Sequence, residues 1–139
     1  MRALRQPTRR RPPPLLSLMV LALAGTACLH GRPAAPAPGG FEEGLASFYS
    51  DAFQGRPTAS GQPYDRGALT CAHRTAPFGA RLRVTELETG RSVVVTVNDR
   101  GPHRAGRIVD LSRAAAERLG MTRRGLVRVR VERAAGPGG

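Results

Sequence analysis

Two kinds of apolar pattern divide this chain. From Leu15 to Ala24 the residues are apolar with a single Ser among them, a run far shorter than the roughly 20 residues a bilayer-spanning helix needs. Between Glu43 and Arg133 the apolar positions come instead in short runs, punctuated by Gly, Pro, Asp and Asn. Leu82-Arg83-Val84-Thr85 alternates, Glu88-Thr89-Gly90 supplies a turn, and Ser92 to Val97 is a β-branched run that reads as buried on both faces. Together they predict a β-hairpin. Val127, Val129 and Val131 alternate with Arg128 and Arg130, which predicts a strand with one face buried and its guanidinium groups on a solvated face. One helix is expected, from about Arg113 to Leu119, with Ser112 as its N-cap, three Ala inside and Gly120 at its C-terminal end. No repeat of solenoid period is present. Short strands, one short helix and no βαβ alternation point to an all-β fold, a closed barrel that leaves no exposed edge and carries the helix as a lid.

The N-terminal run is an expected export signal rather than an anchor. Arg2, Arg5, Arg9, Arg10 and Arg11 precede it, and Gly25-Thr26-Ala27-Cys28 follows it. Small residues three and one before Cys28 suit either an ordinary signal peptidase or a lipoprotein peptidase. The boundary resembles the lipobox of bacterial lipoproteins, in which the Cys is acylated and becomes the mature N-terminus, although Gly25 stands where Leu is usual. The expected organisation is therefore a signal over residues 1–27, lipid attachment at Cys28, a Pro/Gly/Ala linker over 29–42, a folded domain over 43–133 and a loose tail over 134–139.

Composition narrows the chemistry. All 22 basic residues are Arg, against 10 acids, for a net charge of +12; without the first 27 residues 17 Arg remain, or +7. The absence of Lys excludes Schiff-base chemistry and a P-loop, and the absence of Trp removes the usual stacking platform for sugars and bases. Two Cys, at 28 and 71, exclude a disulfide scaffold and thiolate zinc sites, and His30, His73 and His103 show no metal-ligand spacing. No cofactor is expected. For an exported basic domain the natural partners are anionic wall polymers or lipids rather than nucleic acid, which four Phe and two Tyr would also serve poorly.

Two segments place polar groups where neither core nor turn requires them: Arg56 to Asp65 with Leu69 to Gly79, and Val97-Asn98-Asp99-Arg100-Gly101-Pro102 continuing into Arg107 to Ser112. Taken alone, Asp99 reads as turn chemistry, since Asp commonly bonds its own backbone. His73 alone reads as a hydrogen-bonded residue at a strand end, His103 as exposed, and Asp110, inside an apolar run, as a structural acid. Asp65 could cap a turn or contact a sugar. Cys71 reads as a small buried thiol, since residues two apart on a strand lie side by side and Cys71 cannot face His73 as a nucleophile faces its base.

Gly44 to Tyr49, Arg56 with Thr58 to Gly61, Tyr64-Asp65, Leu69-Thr70, Ala72-His73, Val97 to Pro102 and Gly106 to Ser112, in this order and spacing, resemble the rare lipoprotein A family of septal-ring lytic transglycosylases. The resemblance implies a six-stranded double-psi β-barrel with one or two short helices, a fold shared with expansins. It also implies endolytic cleavage of peptidoglycan between N-acetylmuramic acid and N-acetylglucosamine, leaving a 1,6-anhydro end, by a monomer lipid-anchored to the inner or outer membrane and facing the periplasm. In such a reaction the sugar's own 6-hydroxyl is the nucleophile, so one carboxyl group suffices where a hydrolase needs two. The family match makes that group Asp99, with His73 beside it orienting substrate or assisting proton transfer, and Gln62, Tyr64, Asp65 and Arg100 contacting glycan. Gln62 departs from the family's Glu: it keeps the shape and cannot ionise. Phe48 stands where Trp is common and could pack or stack. Arg100, next to Asp99, would favour the ionised carboxylate.

A second function class stays open, an expansin-like module that grips glycan without cutting it, and Gln62 is the residue that favours it. Glycan strands stripped of stem peptides, which expose muramic acid carboxylates, suit the basic surface. No sporulation-related glycan-binding domain follows the barrel within this sequence, so septal targeting gains no support here.

Overall fold

The computed structural model describes residues 39–136; the expected signal, Cys28, most of the linker and the end of the tail lie outside the described residues. Six strands run β1 Phe41–Phe48, β2 Thr70–His73, β3 Arg81–Glu86, β4 Ser92–Asp99, β5 Arg107–Leu111 and β6 Val127–Arg133, with one helix, α1 Arg113–Arg118, and a 3-10 turn at Asp51–Phe53. They close in the order β1-β5-β2-β4-β3-β6. Two neighbouring pairs, β1 with β5 and β2 with β4, are parallel, and the other contacts are antiparallel. This is the expected all-β barrel. Its first strand starts inside the stretch expected as linker, because Phe41 and Glu42 already pair with Glu132 and Val131 of β6.

The barrel is filled from every strand. Leu82 and Val84, Val95 and Val97, Val109 and Leu111, and Val129 and Val131 are fully buried, and Leu119 and Met121 after the helix close one end. The expectation that Ser92 to Val97 is buried on both faces is corrected: Val93, Val95 and Val97 face the core while Val94 and Thr96 are only partly covered. A closed sheet of this size has one interior, so a β-branched outer face reflects strand propensity rather than a second buried layer. The β6 pattern is as expected, with Arg128 exposed and Arg130 bonded to Glu43.

Helix α1 follows its sequence signals. Ser112 Oγ accepts the Ala115 N–H, Ala115 and Ala116 face the core, and Gly120, at φ +67°, takes the left-handed position after the helix. Gly44 serves a different need. A Cβ there would lie 2.7 Å from Ile108 Cγ2 and 3.1 Å from the Gly106 carbonyl, so β1 can approach β5 only without a side chain. Glu86 ends β3 with its carboxylate buried, accepting the N–H groups of Glu88 and Thr89 and the Thr89 hydroxyl, with Arg124 Nη1 at 3.3 Å. These bonds hold the carboxyl below its ordinary range, the Thr89 hydroxyl first among them.

Candidate functional site

Asp99 is the last residue of β4, and Ala72 of β2 pairs with it on one side and with Asp110 of β5 on the other. Asp110 in turn pairs with Ser47 of β1. The two acids therefore share one row across three strands, separated by the small Ala72, with Cα atoms roughly 10 Å apart at ordinary strand spacing. Their surroundings differ. Asp110 is neutralised by Arg107 Nη2 at 2.6 Å and bonded by the Ser47 hydroxyl, which makes it the structural acid expected. Asp99 has no cation in salt-bridge range among the described residues; three neutral donors hold it instead. Tyr49 Oη donates to Oδ2 at 2.5 Å, and the N–H groups of Ala59 and Arg100 donate to Oδ1 at 2.9 and 2.8 Å.

Each donor arrives from a different part of the chain. Tyr49 follows β1 directly, and its N–H donates to the Leu111 carbonyl at 3.0 Å, which fixes where the ring begins. Its ring packs against Tyr64 at 4.7 Å and edge-on to Phe53 at 5.8 Å. Burial and the bond to Asp99 push the Tyr49 phenol well above its ordinary range, so it stays protonated and remains a donor. Ala59 lies in a turn in which Thr58 N–H and Oγ1 both donate to the Gln62 carbonyl, at 2.9 and 2.7 Å, and Ser60 N–H reaches the Asn98 carbonyl. That turn sits on the end of β4, its Ala59 N–H on Asp99 and its Ser60 N–H on the Asn98 carbonyl, and Gln62 in it is exposed.

The other expected site residues fall around this centre in different roles. The Arg100 guanidinium does not pair with Asp99: Nη1 donates to the carbonyls of His73 and Ala76, at 3.2 and 2.7 Å, and the group stacks on Phe78 at 4.0 Å. The cation expected to bias Asp99 is spent on the backbone of the neighbouring loop. His73 ends β2 one residue past the row, with its ring buried; Nδ1 accepts the N–H groups of Thr75 and Ala76, and Nε2 donates to Glu42 at 3.3 Å. Burial lowers its pKa despite Glu42. No hydrogen bond joins the ring to Asp99 among the described residues; Arg100 links the two, its N–H on Asp99 and its guanidinium on the His73 carbonyl. Tyr64 is also buried, 2% exposed, with its hydroxyl accepting the Arg113 N–H, so its ring lies beneath the surface rather than on it. Asp65 is exposed, and its Oδ1 caps the turn at the Gly67 N–H. Cys71 is fully buried and its thiol is pushed up to about 12 by burial, which leaves it inert. His103 is exposed, as expected.

Tyr49 ends the Gly44–Tyr49 motif and Phe78 lies inside the Leu69–Gly79 segment, but neither carries an expected role, and Phe53 lies outside both segments. Phe48, expected to pack or stack, packs against the core, whereas Phe53 and Phe78 are 41% and 44% exposed. Phe53 lies edge-on to Tyr49 with Arg56 over its ring, and Phe78 lies under Arg100, so each partly exposed ring packs on a residue that bonds Asp99. Phe53's sequence signal is being an aromatic residue just before the Arg56–Asp65 segment.

Residues 42–131 match the family described as Lytic transglycolase. Among curated relatives, the endolytic peptidoglycan transglycosylases RlpA of Pasteurella multocida and Neisseria meningitidis are 50% and 46% identical over 96 and 91 residues, covering 69% and 66% of this chain. The chain spans only 33% and 38% of the length of those two relatives. Among solved structures, Streptomyces papain inhibitor aligns with TM-score 0.57 and 26% identity over 70% of this chain and 96% of its own, and an expansin of Clavibacter michiganensis with 0.55 and 26% over 71% and 52%. Match, topology and neighbours agree, and the chain belongs to the Lytic transglycolase family, with the double-psi β-barrel fold of its RlpA-like members.

Proposed function

We propose that this chain is an endolytic lytic transglycosylase of the bacterial cell envelope, cleaving peptidoglycan glycan between N-acetylmuramic acid and N-acetylglucosamine with Asp99 as its acid/base. The observation that carries the reading is Asp99 itself, a carboxylate at a strand end held by three neutral donors, two of which, Tyr49 and Arg100, carry the partly exposed rings of Phe53 and Phe78 against them. Protonated Asp99 gives its proton to the glycosidic oxygen as the C1–O bond breaks. The 6-hydroxyl oxygen of the same muramic acid bonds to C1, and its proton returns to the Asp99 carboxylate, so no water is consumed. Attack within one sugar removes the entropy cost of bringing a second reactant.

The remaining residues support that step. Tyr49 orients Oδ2, Phe53 and Phe78 offer stacking surfaces, and Gln62 and Asp65 present polar groups to hydroxyls or acetamido groups. His73, Arg100 and Tyr64 are positioning residues. His73 shapes the 73–76 turn whose carbonyls hold Arg100, and Arg100 holds Phe78 and lends its N–H to Asp99. Acylation at Cys28, attachment to an envelope membrane facing the periplasm and action as a monomer complete the proposal.

Gln62 favours a second reading, a wall-binding barrel that does not cut, because an amide in the turn that holds Asp99 cannot stabilise developing positive charge as a carboxylate would. Mass spectrometry of products separates the two. The full chain is incubated with intact peptidoglycan and with amidase-stripped strands, using Asp99→Asn as control. Anhydro-ended fragments from the wild type alone support the enzyme. Retention on glycan without such fragments replaces it with the binding module.

A further inference from the structure

Asp99 ends β4, and the other end of that strand opens from the turn after Glu86, roughly 23 Å away at ordinary strand rise. Two leucines stand out at this far end. Leu87 is 40% exposed and Leu126 is 50% exposed. The Leu87 N–H donates to the Arg128 carbonyl at 3.0 Å, which holds the turn after β3 against the start of β6. With Leu45 and Val127, both leucines line a cleft of about 460 Å³. Neither leucine belongs to the barrel's core.

The acids of this end are already paired, and several of its cations are not. Glu86 and Glu88 face Arg124 at 3.3 and 2.9 Å, and Glu117 faces Arg113 at 3.0 Å. Arg91, Arg118, Arg123 and Arg128 are exposed, and among the described residues none of their guanidinium groups makes an ion pair or a hydrogen bond. Arg91 reaches over Gly120, which brings the end of α1 beside the same turn.

Apolar tips ringed by unpaired cations fit the surface of an anionic bilayer, where leucines enter the headgroup boundary and guanidinium groups meet lipid phosphates. They fit a protein partner poorly, because two half-exposed leucines fall far short of the roughly 800 Å² that each side of a stable complex covers. For a chain already tethered to the bilayer a weak second contact is enough, since the tether supplies the local concentration. From Cys28 to Phe41 the chain can extend to about 45 Å. Leu126 lies next to the Ala46–Val127 rung, only about 17 Å along β1 from the Phe41–Glu132 rung.

We propose that the barrel end bearing Leu87 and Leu126 docks on an anionic phospholipid bilayer, with Arg91, Arg118, Arg123 and Arg128 on its lipid phosphates, and so holds Asp99 facing away from the membrane. The docking face rests on the membrane attachment proposed above. A docked barrel presents its site at a fixed height to polymer lying beyond the bilayer.

The chain has no Trp, so a single introduced one reports its own surroundings. The full chain carrying Leu126→Trp, extracted from a bacterial envelope, is mixed with vesicles of brominated phosphatidylcholine, with and without brominated phosphatidylglycerol. In the anionic vesicles its emission is expected to shift to the blue and fall about twofold, as for a residue at the headgroup boundary. It holds in the neutral ones. The Phe53→Trp chain, whose reporter lies near Asp99, stays bright in both. Adding Leu87→Ser, or Arg123→Gln/Arg128→Gln, to the Leu126→Trp chain returns most of its emission. No quenching of a Leu126→Trp chain that floats with the vesicles, equal quenching of Phe53→Trp, or the same quenching in neutral lipid overturns the docking face. A blue shift that grows with protein concentration in lipid-free buffer assigns the face to a second copy and overturns it too. Attachment is scored apart, by flotation and by the mass of the Cys28 segment: quenching without an acyl group sinks the lipidation alone, and floating without quenching sinks the face alone. A chain that floats with neither vesicle overturns both.

Discussion

Tyr49→Phe deletes one oxygen and leaves the ring, with its packing on Tyr64 and Phe53, in place. The lost bond is a 2.5 Å donation to Asp99 Oδ2, and a hydrogen bond to a charged acceptor contributes about 1.5–3 kcal/mol. Little of that should appear as stability, because water can reach the partly exposed carboxylate; about 1 kcal/mol in urea unfolding is expected. The rest should appear in turnover. Ala59 and Arg100 both bond Oδ1, so without Tyr49 the carboxylate is held by one oxygen and pivots about it. A tenfold to hundredfold fall in kcat corresponds to about 1.4–2.7 kcal/mol of lost transition-state orientation, with KM little changed. The phenol is raised above its ordinary value of 10.0, so its neutral form, and the stability it contributes, persists below that pH and is lost only as pH climbs through the raised value. The ratio of wild-type to Tyr49→Phe rates should therefore stay flat from about pH 5 to 9. The assay is anhydro-product formation on stripped glycan under single-turnover and steady-state conditions. A Tyr49→Phe chain with wild-type kcat beside an inactive Asp99→Asn would refute the orienting role.

Gln62→Glu should raise turnover by about tenfold if a carboxylate in that turn helps develop charge at the anomeric carbon; an unchanged or slower rate counts against it. Gly44→Ala should cost about 1–3 kcal/mol in urea unfolding, since its Cβ meets Ile108 Cγ2, and Ile108→Ala should absorb much of that cost, so additive losses in the double variant would sink the packing argument. Cys71 should resist alkylation at pH 8 until urea unfolds the chain. With its thiol raised from 9.0 to about 12, its stabilising contribution is whole below the unfolded value and fades as pH rises toward the folded one, so Cys71→Ala should flatten the alkaline fall in melting temperature. Glu86 has the opposite sign: its contribution is present above its ordinary value of 4.5 and is lost as pH falls through the lowered one, so the stability gap between wild type and Glu86→Gln should shrink in acid.

Local signals in this chain were readable residue by residue. Ser112 and Gly120 bound the helix because capping depends only on near neighbours, and the Val127–Val131 alternation found its face. Val94 and Thr96 were misjudged because a β-branched run looks the same on a covered face and an open one. The site was half legible for a related reason. Asp99 stood out by motif, but its partner Tyr49 is 50 residues away and reaches it only through the closure of the sheet. Arg100 was read as the neighbour of Asp99 because adjacency along the chain says nothing of where a long side chain goes; its guanidinium left for the carbonyls of His73 and Ala76.

The pairing of β1 with β6 also has a mechanical meaning. Phe41 lies opposite Glu132, so the chain enters and leaves the barrel side by side, and the backbone of residues 41–44 is laddered to β6 alone, since the register with β5 starts at Leu45, with the Glu42 side chain adding one bond to His73. Tension applied between the two ends would therefore open these rungs one after another, like a zipper, rather than load them all at once in shear. A tether pulled from the N-terminal side against a tail held on the C-terminal side would peel the first strand as far as Leu45, where the second neighbour begins to share the force.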